Sequence, residues 1–324
     1  MIRQRNDAIA YMNRLGAEGR PFIFFTNFEA DQAFVSPLPL EGQNVCFSFG
    51  EHTNLNHLAD STPISIRPKP IPFDTFFTTY QEIVSEIRVG NSFLTNLTFS
   101  TPIATDNSLK DIFHASEARF RLYLKDQFVC FSPEPFVSIS KSGKISSFPM
   151  KGTIDAAIPD AEQRLLQDTK EIAEHVTIVD LIRNDLSRVA HKVQVPRFRY
   201  VDLIKSRDRW LYQTSSEISG QLPKTWKSTL GDILFELLPA GSITGAPKPK
   251  TVEMIKTHES HLRNFYTGVC GLFDGAALTS GVMIRFIEQT AGGLVYKSGA
   301  GITAQSDAHK EYQEIQDKIY VPSP

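Results

Sequence analysis

Residues 168–189 read DTKEIAEHVTIVDLIRNDLSRV, one unbroken helical pattern in which Ile172, Val176, Val179 and Ile182 form an apolar stripe. Glu171 and Glu174 stand at i and i+3, so their carboxylates share one face, away from that stripe. Asp168-Thr169-Lys170-Glu171 also has the form of a capping box, in which Glu171 would serve only the helix N-terminus. Near the other end of the chain, Ala308 to Tyr320 repeats the plan. Tyr312, Ile315 and Ile319 make its apolar side, Glu311 and Glu314 stand together, and Lys318 can pair with Glu314 at i+4. Four carboxylates from two helices can form the oxygen-rich site that Mg²⁺ prefers. Each pair alone fits a solvated surface more readily, because solvated carboxylates are far commoner than ligands, so spacing alone does not establish a metal site.

Around these helices the chain mixes both periodicities. Short apolar or aromatic runs predict strands at Pro21 to Phe28, Asn44 to Phe49, Ser92 to Phe99, Phe128 to Ser132, Val137 to Ser140, Ile145 to Phe148, Gly281 to Glu288 and Leu294 to Ser298. Helical spacing recurs over Met1 to Gly16, Phe76 to Ile87, Ser228 to Leu238 and Thr251 to Ser260. The class is α+β. Three prolines in Arg67 to Phe73 mark a linker between a short N-terminal part, 1–72, expected to be integrated with the main fold, and a catalytic body over 73–324. No repeat or low-complexity run interrupts the chain, so order is expected up to its last few residues.

Composition narrows the function. The chain has 324 residues, 41% hydrophobic and 22% charged, with a formal net charge of -2 and no basic cluster. That balance argues against a nucleic-acid or anionic-membrane partner and for a small-molecule substrate. No run is long enough to span a bilayer, and the N-terminus lacks the apolar core of a secretory signal. Cys46, Cys130 and Cys270 are odd in number and far apart, as in a reduced cytoplasmic protein.

Three further segments carry chemistry. Ser147 to Thr153 (SFPMKGT) places Lys151 past a strand end and before a glycine, where a turn can present it to a cavity. A lysine becomes an amine nucleophile when burial or a nearby cation lowers its pKa from about 10.4; most lysines in such turns are solvated. Pro239 to Lys248 (PAGSITGAPK) is a glycine-rich turn before a helix, but its spacing is not that of a nucleotide P-loop. Gly299-Ala300-Gly301 reads as a backbone-exposing turn, with Tyr266 and Arg285 as possible carboxylate partners.

In order, these segments resemble the chorismate-utilising enzymes, the family of anthranilate synthase component I, aminodeoxychorismate synthase component I and the isochorismate and salicylate synthases. The carriers are Phe131 to Glu134, Pro149 to Thr153, Ala173 to His175 running into Val179 to Asp185, Pro239 to Lys248, Arg263 to Gly268, Ile284-Arg285, and Gly299 to Tyr312, within roughly residues 75 to 320. The resemblance implies a four-layer α/β/β/α sandwich of two antiparallel-rich sheets with outer helices. It implies Glu174 and Glu314 as Mg²⁺ ligands with Glu171 and Glu311 beside them. Tyr266, Arg285 and the Gly299–Gly301 strip would contact one substrate carboxylate, and Thr244 and Gly245 would line the pocket floor.

Lys151 sets the expected reaction, because anthranilate synthases usually carry alanine in that motif and aminodeoxychorismate synthases lysine. Lys151 would attack chorismate and ammonia would then replace it, giving 4-amino-4-deoxychorismate on the route to para-aminobenzoate and folate, with Glu134 as the acid and base. The alternatives are anthranilate synthase component I and an inactive chorismate-binding subunit. The chain departs from the family at Leu94, where isochorismate-forming members place a lysine base; leucine cannot activate water. It departs again at Gln213-Thr214-Ser215-Ser216, where the family shows His-Leu-x-Ser, although Gln213 retains a hydrogen-bond donor. The Leu-Leu-Glu-Ser segment associated with tryptophan feedback is not found, so no such inhibition is expected. No cysteine sits in the elbow a glutaminase requires, so ammonia is expected from a separate glutamine amidotransferase subunit.

Overall fold

A computed structural model describes residues 1–42, 44–55, 64–206 and 209–322; the end of the chain at 323–324, within the tail expected to lack order, lies outside them. Among the described residues there are two sheets, both built from antiparallel pairs. The first orders as β1 (Ile2–Gln4), β3 (Gln32–Pro37), β2 (Phe22–Thr26), β16 (Val269–Phe273), β17 (Leu278–Val282), β10 (Pro135–Ile139), β11 (Lys144–Ser147), β14 (Arg209–Gln221) and β12 (Met150–Asp155), with β13 (His191–Ser206) paired to β14. The second orders as β15 (Gly245–Ala246), β7 (Leu94–Ala104), β19 (Gly293–Ile302), β18 (Phe286–Thr290), β9 (Phe128–Ser132), β8 (Phe120–Leu124), β4 (Val45–Phe49) and β5 (His52–Thr53), with β6 (Arg67–Pro68) paired to β7.

Strand alternation explains the layering. In β2, Phe22 and Phe24 point into one core while Ile23 and Phe25 point into another, so the strand is buried on both faces. Phe128 and Cys130 of β9 enter that second, inter-sheet core, and Val129 and Phe131 enter a third. Helices α1 (Arg5–Ala17), α5 (Thr169–Ser187) and α6 (Leu230–Leu237) cover the first sheet through Met12, Ile178 and Leu234. Helices α2 (Phe73–Arg88), α3 (Leu109–Ala115) and α8 (Ala308–Asp317) cover the second through Phe76, Ile112 and Ile315. The result is the four-layer α/β/β/α sandwich. Of the remaining helices, α4 (Ala161–Gln167) precedes α5, and α7 (Lys248–His258) contributes Ile255 to one core and Met254 to another.

The first 72 residues supply strands to both sheets: β2 pairs with β16, and β4 pairs with β8. The proline-rich stretch itself contributes β6, against Ile103 and Ala104. Among the described residues no helix is long and apolar enough to cross a membrane.

Four local readings need correction. Gly281 to Glu288 is not one strand: β17 ends at Val282, the chain crosses between the sheets, and β18 begins at Phe286, with Arg285 in the left-handed region at φ 54°. Gly299–Gly301 is not a turn but lies inside β19, with Gly299 opposite Thr98. Lys151 does follow the end of β11 at Ser147, but it is not in a turn: it sits within β12, where the pairing slips between Met150 and Thr153. On α5, Val176 is 47% exposed, and the buried face instead includes Glu174, His175 and Ile178. The carboxylate face is turned inward.

Candidate active site

The bulge in β12 is where the site begins. Met150 pairs with Ser215 and Thr153 with Gln213, so two residues on β12 oppose one on β14 and Lys151 is turned out of the ladder. Gly152 makes this possible with φ 81°, and a Cβ there would stand 2.9 Å from Glu171 Oε2. Asp168 caps α5 by accepting from the Glu171 amide at 3.0 Å, which leaves the Glu171 carboxylate to reach Gly152.

The Lys151 backbone is held from below: Thr214 Oγ1 donates to its carbonyl, and Thr214 is fully buried on β14. His175, also fully buried, shares a 2.6 Å hydrogen bond with Ser216. Burial, and next the Arg199 cation, push the His175 pKa down to about 4, so its ring is neutral near neutral pH.

Lys151 Nζ lies 4.0 Å from Glu174 Oε2. Both face β19, for a Cβ built on Gly301 would stand 3.4 Å from Lys151 Nζ and 3.9 Å from Glu174 Oε2. The same point is 3.4 Å from Leu94 Cδ1, so leucine forms an apolar wall beside the amine. From α8, Glu311 is buried, and Glu314 binds Lys318, whose Nζ is 2.5 Å from Oε1 and also donates to the Gly299 carbonyl at 2.7 Å. Burial lowers the Lys318 pKa against the pull of Glu314, and the Arg285 and Lys151 cations lower it further.

Arg285 and Glu134 each lie within electrostatic reach of Tyr266 and form a second group around it. Tyr266 is packed in the inter-sheet core beside Phe286, and burial raises its pKa, so its phenol keeps its proton. Burial disfavours charge on Arg285, yet Tyr296 and Tyr320 leave its pKa raised. Glu134 is half-buried just before β10 and lines a small cavity with Pro149, Asp185 and Gly241.

Other expected residues take more structural positions. Thr244 donates its hydroxyl to the Ala240 and Gly241 carbonyls at 3.0 and 3.2 Å, so it braces its own loop. Gly245 at φ 141° lies where a Cβ would strike the Leu94 carbonyl. Gln213 is in mid-strand, opposite Thr153. The sequence reading missed Lys318, His175, Thr214 and Tyr320. Lys318 had been visible only as a helix partner of Glu314.

Among the described residues no group of three or more His, Cys, Asp or Glu side chains is gathered closely enough to hold a metal by itself. Mg²⁺ commonly takes one or two carboxylates together with waters and substrate oxygens. The buried Glu174 and Glu311, with Glu171 and Glu314 on the same two helices, are a donor set of that chemistry.

A family model described as chorismate binding enzyme matches residues 9–323. A protein of Haemophilus influenzae described as an uncharacterized PabA-like protein is 45% identical over 315 residues, covering 97% of this chain and 96% of that one. Aminodeoxychorismate synthase component 1 of Bacillus subtilis is 31% identical over 267 residues, covering 78% and 55%. Anthranilate synthase component 1 1 of Haloarcula marismortui is 34% identical over 262 residues, covering 76% and 52%. The matches to these last two therefore span only about half of each relative. Among solved structures, the menaquinone-specific isochorismate synthase MenF of Escherichia coli superposes with a TM-score of 0.70 over 98% of this chain and 82% of its own, at 17% identity, a likeness of fold alone.

Proposed function

Because the chain belongs to the chorismate binding enzymes, we propose that it converts chorismate and ammonia to 4-amino-4-deoxychorismate through a covalent adduct on Lys151. The observation that carries this reading is the placement of Lys151 Nζ, 4.0 Å from the Glu174 carboxylate and against the open backbone of Gly301. The amine is turned out of its strand, and its backbone is fixed by Thr214. That is the preorganisation a nucleophile needs.

The steps balance as follows. The Lys151 Nζ lone pair forms a bond to C2 of chorismate, the ring double bonds shift, and the C4–O bond breaks. Glu134 gives its proton to the departing hydroxyl, which leaves as water. Ammonia then bonds to C4, the double bonds shift back, and the C2–N bond breaks to release Lys151. Glu134 takes a proton from the new ammonium. Arg285, Tyr266 and the Gly299–Gly301 strip hold one substrate carboxylate, and Thr244 and Gly245 shape the floor. Glu174 and Glu314, with Glu171 and Glu311 beside them, would hold Mg²⁺, whose charge neutralises the other carboxylate.

Ammonia would be delivered by a separate glutamine amidotransferase subunit, in the cytoplasm. Cys46, Cys130 and Cys270 are all buried and free, and burial pushes each thiol up, Cys270 to about 12, the opposite of an activated glutaminase thiolate.

The test is to incubate the protein with chorismate, Mg²⁺ and an ammonium salt, beside Lys151→Ala, and identify products by mass spectrometry. Aminodeoxychorismate from the wild type, lost in the variant, is expected. Anthranilate would move the reaction to the other branch, and unconsumed but tightly bound chorismate would make this a binding subunit.

A further inference from the structure

Ser216, fully buried on β14, ties together the elements around the nucleophile. Its hydroxyl shares the 2.6 Å bond with His175 Nε2 of α5 and accepts from the Arg199 amide of β13 at 2.9 Å. Its own amide donates to the Pro149 carbonyl at 3.1 Å, immediately before β12. The Arg199 side chain continues the link by donating to the Leu165 and Leu166 carbonyls at 3.1 and 3.0 Å, at the end of α4. Leu165 in turn lies against Gly152, since a Cβ there would stand 3.1 Å from its Cδ1.

These contacts flank one residue. Pro149 and Gly152 stand on either side of Lys151, and Thr214, two residues from Ser216 on the same strand, donates to the Lys151 carbonyl. On the helix side, His175 is the immediate neighbour of Glu174, whose Oε2 is 4.0 Å from Lys151 Nζ. A buried hydrogen bond adds only about 1 kcal/mol net to stability, so an apolar pair would fill this space nearly as well. A hydrogen bond is directional, however, and this one fixes both the rotation of α5 and its position along β14. His175 and Ser216 are fully buried, so neither touches substrate.

We propose that His175 and Ser216 are positioning residues for the nucleophile: their bond locks the helix that carries Glu174 onto the strand that holds the Lys151 bulge, and so sets where Nζ stands when it attacks. This rests on the reading of Lys151 as the nucleophile and adds to it the device that aims the amine.

The full chain with Mg²⁺ is mixed with chorismate in the absence of ammonia, the covalent adduct is followed by quenching and intact-protein mass spectrometry, and the chorismate Kd is measured by calorimetry. Ser216→Ala and His175→Leu each break the bond from one side. In both, the rate of adduct formation is expected to fall about ten- to a hundredfold, the effect of a misplacement on the order of 1 Å, while Kd stays within about twofold. The double variant should be no slower than either single one, because both remove the same link. His175→Gln, whose amide can reach the Ser216 hydroxyl, should recover most of the rate. Adduct formation at the wild-type rate in Ser216→Ala overturns the proposal, and so does a rate that falls together with chorismate affinity and the unfolding midpoint, which would make the pair a support of the fold at large. A wild-type chain that forms no adduct overturns the reading of Lys151 instead.

Discussion

Two regions of this molecule set lysine or arginine side chains against carboxylates, and they do so differently. Behind β7 and β19, Arg263 gives Glu259 two hydrogen bonds, at 2.8 and 2.6 Å, and spends its remaining donors on the Ile243 and Asn96 carbonyls and the Thr267 hydroxyl. Lys297 likewise meets Glu288 at 2.6 Å and the Leu262 and Arg263 carbonyls. At the Lys151 corner the amine stands 4.0 Å from Glu174, beyond hydrogen-bonding distance. The first cluster is saturated, as a buried ion pair must be to offset its desolvation. The second leaves its lysine uncommitted, which costs stability and is reasonable where a substrate will supply the missing partner.

If this contrast is right, the two regions fail in opposite ways. Lys151→Ala should lower aminodeoxychorismate formation by about a thousandfold or more while leaving the fold intact, measured as product per enzyme beside a melting curve. Arg263→Met should do the reverse. Removing one partner leaves the buried Glu259 carboxyl without its arginine, at a cost of about 3–5 kcal/mol in urea unfolding. A Lys151→Ala chain that unfolds, or an Arg263→Met chain as stable as wild type, would erase the distinction.

Acid should test both regions at once, because each holds one histidine whose charged form is disfavoured, His175 fully buried and His261 half-buried. His175 lies under Lys151, and His261 is placed against Thr98 beside Glu259; burial first lowers both pKa values to about 4. The unfolded chain, with histidines near 6.5, binds more protons between those values, so stability rises with pH across that window and is lost on acidification. The expected slope is up to about 1.4 kcal/mol per pH unit for each histidine. Urea midpoints measured from pH 7 to 4 should show it, with a shallower slope in His175→Gln and in His261→Gln; a flat profile would mean that neither ring is held neutral.

The legible parts of this design were those with local signals. Aromatic runs fixed β2 and β9, and glutamate spacing picked out α5 and α8. What stayed hidden depends on distant partners. Nothing within α5 announces that Glu174 and His175 face inward, because that orientation is set by distant strands: Lys151 of β12 and Gly301 of β19 meet Glu174, and Ser216 of β14 meets His175. The β13–β14 hairpin escaped because its period is broken. The register slips three times between His191 and Tyr200, and Lys192 and Arg199 adopt positive φ, so no clean alternation survives. Arg285 is legible as a residue but its place is not, since the crossing between sheets is a tertiary event. Lys318 was read as a helix pair because sequence spacing reports the neighbour at i+4 and not the Gly299 carbonyl 19 residues away.

The smallest expected effect comes from the pair that looks best on distance alone. Lys250 and Glu253 on α7 meet at 2.9 Å, closer than Lys151 and Glu174, but their side chains are 41% and 63% exposed. Water already solvates both charges, so little is gained on pairing, and holding two long side chains in one geometry has an entropic cost. Lys250 also sits in the first turn of its helix, where the helix dipole disfavours a cation. Lys250→Ala should therefore change unfolding free energy by less than about 0.5 kcal/mol in either direction and leave product formation as in the wild type. A loss of 2 kcal/mol or so would mean that proximity, and not burial with saturation, sets the worth of an ion pair here.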